Sequence, residues 1–263
     1  MNKMVKIRFI KYQGTGNDFI IIDGRNGIPA ELPVKLMCDR HFGIGADGLI
    51  ILAESSISDF KMIYYNSDGN LSSMCGNGGR CIAHFASIFI FPDQRKFTFE
   101  AHDGLHHAII EKDHVSLSMN DVNTDSTEQS NEVVIMNTGS PHYVSFENII
   151  ESEFYNWARG IRYSETYKKV GINVNNVNAI SENKLNMRTY ERGVENETLS
   201  CGTGVTAAVL SHALITNLKS GTIDVNTKGG LLNVSFKRLN NVFNDILLSG
   251  EAKVVFEGVW VIE

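Results

Sequence analysis

Apolar and polar residues alternate along 6–12, 19–23, 49–53, 60–65, 97–101, 107–111 and 115–119, and this period of two predicts a β-strand at each. Helical spacing is scarcer. It predicts helices over 32–40, where Pro33 falls in the first turn, over 152–160, and over the stretches 79–86 and 205–214. Strands in such excess predict an α+β chain of mixed sheet wrapped around a small number of central helices.

Residues 120–131, Asn-Asp-Val-Asn-Thr-Asp-Ser-Thr-Glu-Gln-Ser-Asn, have no periodicity and mark a boundary. On either side of it the chain repeats itself. Thr15-Gly16-Asn17 is echoed by Thr138-Gly139-Ser140, each between two strand-like runs. Cys75-Gly76-Asn77-Gly78 is echoed by Cys201-Gly202-Thr203-Gly204, each opening a predicted helix, and the spacing from Asn17 to Cys75 nearly equals that from Ser140 to Cys201. A weaker echo, Gly43-Ile44-Gly45 against Gly171-Ile172-Asn173, falls between them. This order predicts a duplication: two similar domains related by a pseudo-two-fold axis, each a strongly curved sheet around a central helix. The first domain takes residues 1–121 plus 251–263 and carries Cys75; the second takes 122–250 and carries Cys201. Equivalent positions would then face a shared substrate cleft from opposite sides.

Composition narrows the partners. A formal charge of −6 speaks against a nucleic-acid partner, which would require a basic face, and favours a small-molecule substrate. No apolar run reaches the length of a membrane span. Met1 to Ile10 is interrupted by Lys3, Lys6 and Arg8, unlike the apolar core of a signal peptide. Cys38, Cys75, Cys81 and Cys201 are too few for a disulfide scaffold in 263 residues, which fits a reducing cytoplasm. The absence of a CxxC pair, and the step from Cys75 to Cys81, argue against a metal site.

The two thiols carry the chemistry. A helix start offers unpaired N–H groups and a partial positive charge, which favour a thiolate or a bound carboxylate, and glycines let the backbone approach closely. Inverting a stereocentre by proton transfer needs a base on one face of the carbon and an acid on the other, and a thiolate paired with a thiol suits both directions. Negative charge developing beside a carboxylate needs donors aimed at it. The amides of Gly76, Asn77, Gly202 and Thr203 are the candidates.

Gly14-Thr15-Gly16-Asn17-Asp18-Phe19, Gly43-Ile44-Gly45-Ala46-Asp47-Gly48, Asn66-Ser67-Asp68-Gly69, the Cys75–Cys81 block, Gly139-Ser140-Pro141-His142, Asn176-Val177-Asn178, Tyr190-Glu191-Arg192-Gly193, Glu197-Thr198 and the Cys201–Gly204 block occur in that order. Together with the closing segment from Gly250 to Gly258 they resemble the diaminopimelate epimerase family nearly end to end. The resemblance implies a cofactor-independent isomerase of LL- and meso-2,6-diaminopimelate, serving lysine and peptidoglycan precursor synthesis, with two similar domains and a homodimer. It implies that Cys75 and Cys201 are acid and base and that the helix-start amides grip the reacting carboxylate. Asn17, Asn66, Asn176, Glu191 and Arg192 would hold the substrate, and His142 and Glu191 would tune the thiols. Arg192 beside Glu191 makes chemical sense, because the far end of diaminopimelate carries both a carboxylate and an ammonium.

Two departures stand out. Ser140 replaces the asparagine common in the family, and the loop Gly193-Val194-Glu195-Asn196-Glu197-Thr198 is one residue longer than usual and lacks its second glycine. A racemase of another amino acid, such as histidine, would share the cysteines and change the far end. A binding protein would keep the cleft without the chemistry. Asn66, Asn176, Glu191 and Arg192 weigh towards diaminopimelate.

Overall fold

Hairpins of similar build open both halves of the chain in a computed structural model, which describes residues 4–29, 32–72, 74–130 and 132–262. The chain divides into two compact units, Met1–Leu117 with Gly250–Glu263, and Ser118–Ser249. The first break comes at Leu117 rather than at 121. The amide of Met119 donates to the carbonyl of Ile246 at 2.9 Å, and Val122 pairs with Phe243, so these residues belong with the second unit.

In the first unit, β1 (Val5–Gly14) and β2 (Asn17–Asp23) form an antiparallel hairpin. Its turn holds Thr15 at φ 50° and Gly16 at φ 83°. Helix α1 (Val34–Cys38) crosses over to β3 (Gly48–Ala53), which runs parallel to β2, and β4 (Phe60–Asn66) returns antiparallel. Next come α2 (Gly76–Phe85), extended by a π-helical turn Ala86–Ile90, then β5 (Lys96–Ala101), β6 (Gly104–Glu111) and β7 (His114–Ser118). β5 lies parallel to β4, and β5, β6 and β7 pair antiparallel in sequence. The closing strand of the chain, Lys253–Ile262, pairs along the outer side of β1.

The second unit enters through the short strands β8 (Val122–Asn123) and β9 (Glu128–Gln129) and then repeats that order. β10 (Val133–Asn137) and β11 (Pro141–Ser145) make the hairpin, α3 (Phe154–Arg162) crosses over, and β12 (Asn173–Ser181) runs parallel to β11. β13 (Lys184–Glu191) returns antiparallel and carries the small strand β14 (Asn196–Thr198) on its edge. Helix α4 (Gly202–Ile215) follows, then β15 (Ser220–Thr227) parallel to β13, and β16 (Gly230–Leu239) antiparallel to β15. β17 (Val242–Glu251) pairs with β8. The predicted α+β class and the duplication are both visible in this order of elements.

Burial explains why the helices are central. All ten residues of α2 are buried, and the helix touches β1, β2, β3 and β6. α4 is buried along most of its length and touches β10, β11, β12, β13, β15 and β16, so each sheet curls around its helix. The continuous apolar runs of β2 and β3 follow from burial on both faces. Phe19, Ile21, Ile50 and Leu52 pack towards α2, whereas Ile20, Ile22, Leu49 and Ile51 pack towards Val34 and Met37 of α1. In the second unit Val144 and Val177 face α4, and Val174 and Tyr190 face Phe154 and Ala158 of α3.

Helix ends depart from expectation for local reasons. α1 is shorter than 32–40 because Asp39 turns extended (φ −63°, ψ 129°) and its carboxylate accepts the amides of His41 and Phe42, each at 2.7 Å. α3 begins at Phe154 because a 3-10 turn, Glu151–Glu153, takes up the preceding residues. The third sequence echo is out of step: Gly45, not Gly43, shares the left-handed backbone of Gly171, at φ 79° and 81°.

Candidate active site

Both Cys-Gly-x-Gly motifs produce the same local structure. Cys75 and Cys201 are extended residues at the N-cap, and their carbonyls accept the first helical amides, from Gly79 at 2.7 Å and from Val205 at 2.9 Å. Neither helix has a side-chain cap, so the dipole and the first-turn amides of Gly76, Asn77, Gly202 and Thr203 are placed next to the thiols. The fourth residue of each motif has to be small. A methyl group on Gly78 would lie 3.0 Å from Ile50 Cδ1, and one on Gly204 would lie 2.8 Å from Asn175 Oδ1 and 3.3 Å from Cys201 Cβ.

Cys75 is half-buried, and its sulfur lies 3.6 Å from Asn17 Oδ1. The Asn17 amide cannot turn freely, because Nδ2 donates to Asp47 Oδ2 at 2.6 Å and Oδ1 accepts from Asn77 Nδ2 at 3.3 Å. Asp47 is itself clamped by Arg40 (2.7 Å), which also grips Asp18. Burial raises the Asp18 carboxyl, but hydrogen bonds from Arg40 and Lys11 outweigh it and hold the group well below the usual carboxylate range. Behind Asn77 lies Arg80, fully buried, donating to Asn77 Oδ1 at 2.9 Å, Thr15 Oγ1 at 3.1 Å and Gly76 O at 3.4 Å. Burial lowers the pKa of this guanidinium.

Cys201 is buried, with its sulfur 3.5 Å from Thr203 Oγ1. Thr203 Oγ1 lies 2.9 Å from His142 Nε2, and His142 Nδ1 lies 3.1 Å from Asn175 Nδ2. Asn175 Oδ1 accepts from Thr189 Oγ1 at 3.0 Å. His142 is wholly inaccessible to solvent, and burial, with a smaller contribution from Arg192, pushes its pKa down to about 3. It is therefore neutral at ordinary pH.

The far-end residues gather at the carboxyl end of β13. The backbone amide of Arg192 donates to Asn173 Oδ1 at 2.9 Å, and its guanidinium donates to Ser140 Oγ at 3.3 Å and to Val170 O at 3.1 Å. Asn173 Nδ2 donates to Ser140 Oγ at 2.9 Å, so the serine ties both residues together. Glu191 is half-buried at the end of β13, and its carbonyl accepts the amide of Glu195 at 2.8 Å. The extra loop residue is absorbed by Glu195, a left-handed residue at φ 57° whose carboxylate pairs with Arg162 at 2.7 Å. Asn66 lies half-buried at the end of β4 opposite Gly48.

Asn176 stands apart from this group. It occupies the opposite face of β12, where its amide donates to the carbonyl of Glu147 at 2.9 Å. Asn173, rather than Asn176, is the β12 asparagine bonded to Arg192. Asn175, Thr189, Asp47 and Arg80 also belong to the networks around the thiols and are not among the residues predicted from sequence. Their signal is burial of a polar group, which alternation alone does not reveal.

The remaining thiols are different. None of the four cysteines is in a disulfide, and burial pushes Cys38 up to about 11 and Cys81 up to about 12. Among the described residues no group of three or more His, Cys, Asp or Glu is arranged to hold a metal ion, and no helix is long and apolar enough to cross a membrane.

The family model described as diaminopimelate epimerase matches residues 9–125 and 134–255. A protein named diaminopimelate epimerase from Flavobacterium psychrophilum is 48% identical over 256 residues, 95% of this chain and 99% of that one. Its namesake from Chlorobaculum tepidum is 37% identical, over 93% of this chain and 98% of its own length. Among solved structures, a hydroxyproline epimerase from Agrobacterium vitis superposes with a TM-score of 0.73 at 13% identity, covering 98% of this chain and 93% of that one. A PhzF-family phenazine biosynthesis protein from Bacillus anthracis gives 0.75 at 12% identity, covering 98% and 100%. At such low identity these two speak for the fold.

Proposed function

The chain belongs to the diaminopimelate epimerase family and is an isomerase, and from that premise we propose that it interconverts LL- and meso-2,6-diaminopimelate using Cys75 and Cys201 as the proton-transferring pair. The observation that carries this reading is the matched placement of the two thiols, each the residue before a glycine-started, buried central helix. In the proposed reaction one thiolate removes the α-proton, the other thiol delivers a proton to the opposite face, and the roles exchange in reverse.

The amides of Gly76, Asn77, Gly202 and Thr203 would take the reacting carboxylate, where negative charge grows as the proton leaves. Arg192 would pair with the distal carboxylate and Glu191 with the distal ammonium. Asn17, Asn66 and Asn173 would complete the contacts, Asn173 rather than Asn176 because it is the one bonded to Arg192. Glu191 and His142 would set the thiol ionisation. Cytoplasmic residence, a homodimer, a reaction needing no cofactor and a role in lysine precursor supply complete the proposal; sedimentation at twice the chain mass would support the dimer.

Incubating the purified protein with LL-diaminopimelate in deuterium oxide, without added pyridoxal phosphate, tests the reading. The meso isomer should form with deuterium at one α-carbon. The absence of both isomerisation and exchange would refute it.

A further inference from the structure

Three buried polar side chains of the second unit, Thr189, Asn175 and His142, form with half-buried Thr203 one directed chain behind Cys201, and the direction follows from a single fixed point. The carbonyl of Tyr143 can only accept, and Asn175 Nδ2 lies 3.2 Å from it. This fixes which end of the Asn175 amide is nitrogen. Nδ2 therefore also donates to His142 Nδ1 at 3.1 Å, and Oδ1 accepts from Thr189 Oγ1 at 3.0 Å. With Nδ1 an acceptor, a neutral imidazole carries its proton on Nε2 and donates it to Thr203 Oγ1 at 2.9 Å. The hydroxyl hydrogen of Thr203 is then left for the sulfur 3.5 Å away.

We infer that Asn175 and Thr189 are positioning residues: they fix His142 in its Nε2–H tautomer and so turn the Thr203 hydroxyl into a donor aimed at the Cys201 sulfur. This deepens the proposed function and rests on it for its catalytic meaning. Asn175, His142 and Thr189 are almost completely shielded from solvent, so their hydrogen bonds lie in a low-dielectric interior where an unmade bond is costly. Charge around the imidazole is sparse. β12 presents Asn175, the N-terminal end of α4 presents Thr203 with Cys201 at its cap, and Arg192 beyond β13 is the charged group acting on it, disfavouring the imidazolium.

In the first unit the polar groups linked to Cys75 are Asn17, Asn77 and Arg80, which differ in kind from the imidazole and amide linked to Cys201. Gly78 matches Gly204 in position, yet a methyl group on it would meet Ile50, where a methyl group on Gly204 would meet Asn175. At the pairing that aligns β2 with β3 and β11 with β12, Phe19 stands opposite Gly48 and His142 opposite Asn173. The duplicated frame therefore places apolar groups behind Cys75 at points where it places an imidazole and an amide behind Cys201.

The test measures the pH dependence of Cys201 alkylation by iodoacetamide in the full chain without substrate, with the modified peptides resolved by mass spectrometry. Thr203→Val should move the Cys201 midpoint upward by about one pH unit, the effect of losing one hydrogen bond to a charged sulfur. Thr203→Ser should restore it. Asn175→Asp places an acceptor against His142 Nδ1, inverts the chain and should move the midpoint in the same direction. The Cys75 midpoint should stay in place throughout, which distinguishes this effect from unfolding. An unmoved Cys201 midpoint in Thr203→Val would overturn the inference. So would nitrogen NMR of the wild-type protein showing His142 protonated on Nδ1, a readout that needs no variant to fold. Because neither measurement uses substrate, a failure to epimerise diaminopimelate would leave both standing.

Discussion

His142 Nε2 lies 2.9 Å from the hydroxyl of Thr203, with the imidazole sealed from solvent. An imidazole whose pKa drops from an ordinary 6.5 to about 3 in the folded chain binds no proton where the unfolded chain does. Its contribution to stability is complete above pH 6.5 and is lost as pH falls towards 3. Acid titration of the unfolding free energy should therefore fall less steeply in His142→Gln than in wild type across that window. Equal slopes would place the acid sensitivity elsewhere.

Gly204 and Gly78 occupy matching positions but are predicted to differ in tolerance. The Gly204 methyl would meet an amide oxygen already held by Thr189, whereas the Gly78 methyl would meet the mobile end of Ile50. Gly204→Ala should lose about 1–3 kcal/mol in denaturant unfolding, and Gly78→Ala distinctly less. The reverse order would contradict the packing described for α4.

Arg192 combines a guanidinium held by Ser140 and Val170 with a backbone held by Asn173. Lysine keeps the charge but cannot grip a carboxylate with two parallel hydrogen bonds. Arg192→Lys should raise KM for diaminopimelate by roughly tenfold with a smaller change in kcat. Steady-state assays in both directions check this, and an unchanged KM would remove Arg192 from the substrate.

Asn173 and Asn176 can be separated in the same way. Asn173→Ala should lower kcat/KM strongly, since it releases both Arg192 and Ser140, while Asn176→Ala breaks a bond to the Glu147 carbonyl on the other face of β12. A larger effect at Asn176 on kcat/KM would restore the assignment suggested by sequence.

That pair also shows where sequence stops being informative. The run Asn173-Val174-Asn175-Asn176-Val177-Asn178 puts asparagine on both faces of a strand, so alternation cannot say which amide reaches the site. Only the packing of Val177 on α4 and of Val174 on α3 decides it. The hairpin turns and the cysteine motifs were legible because each has a local cause, a left-handed glycine or a helix start. The chain from Thr189 to Thr203 was not, since it joins residues from β11, β12, β13 and α4 that no short spacing connects. The end of α1 depended on the Asp39 carboxylate, a cap that periodicity does not register.

The central claim is that one thiol serves each face of the α-carbon, and α-proton exchange by the two single variants in deuterium oxide tests it most directly. Cys75→Ala and Cys201→Ala should each lose isomerisation by about 10²–10⁴-fold. Each should nonetheless exchange the α-proton of a different isomer with retained configuration, because the surviving thiol still reaches its own face. Exchange of the same isomer by both variants, or full isomerisation by either one, would contradict the account.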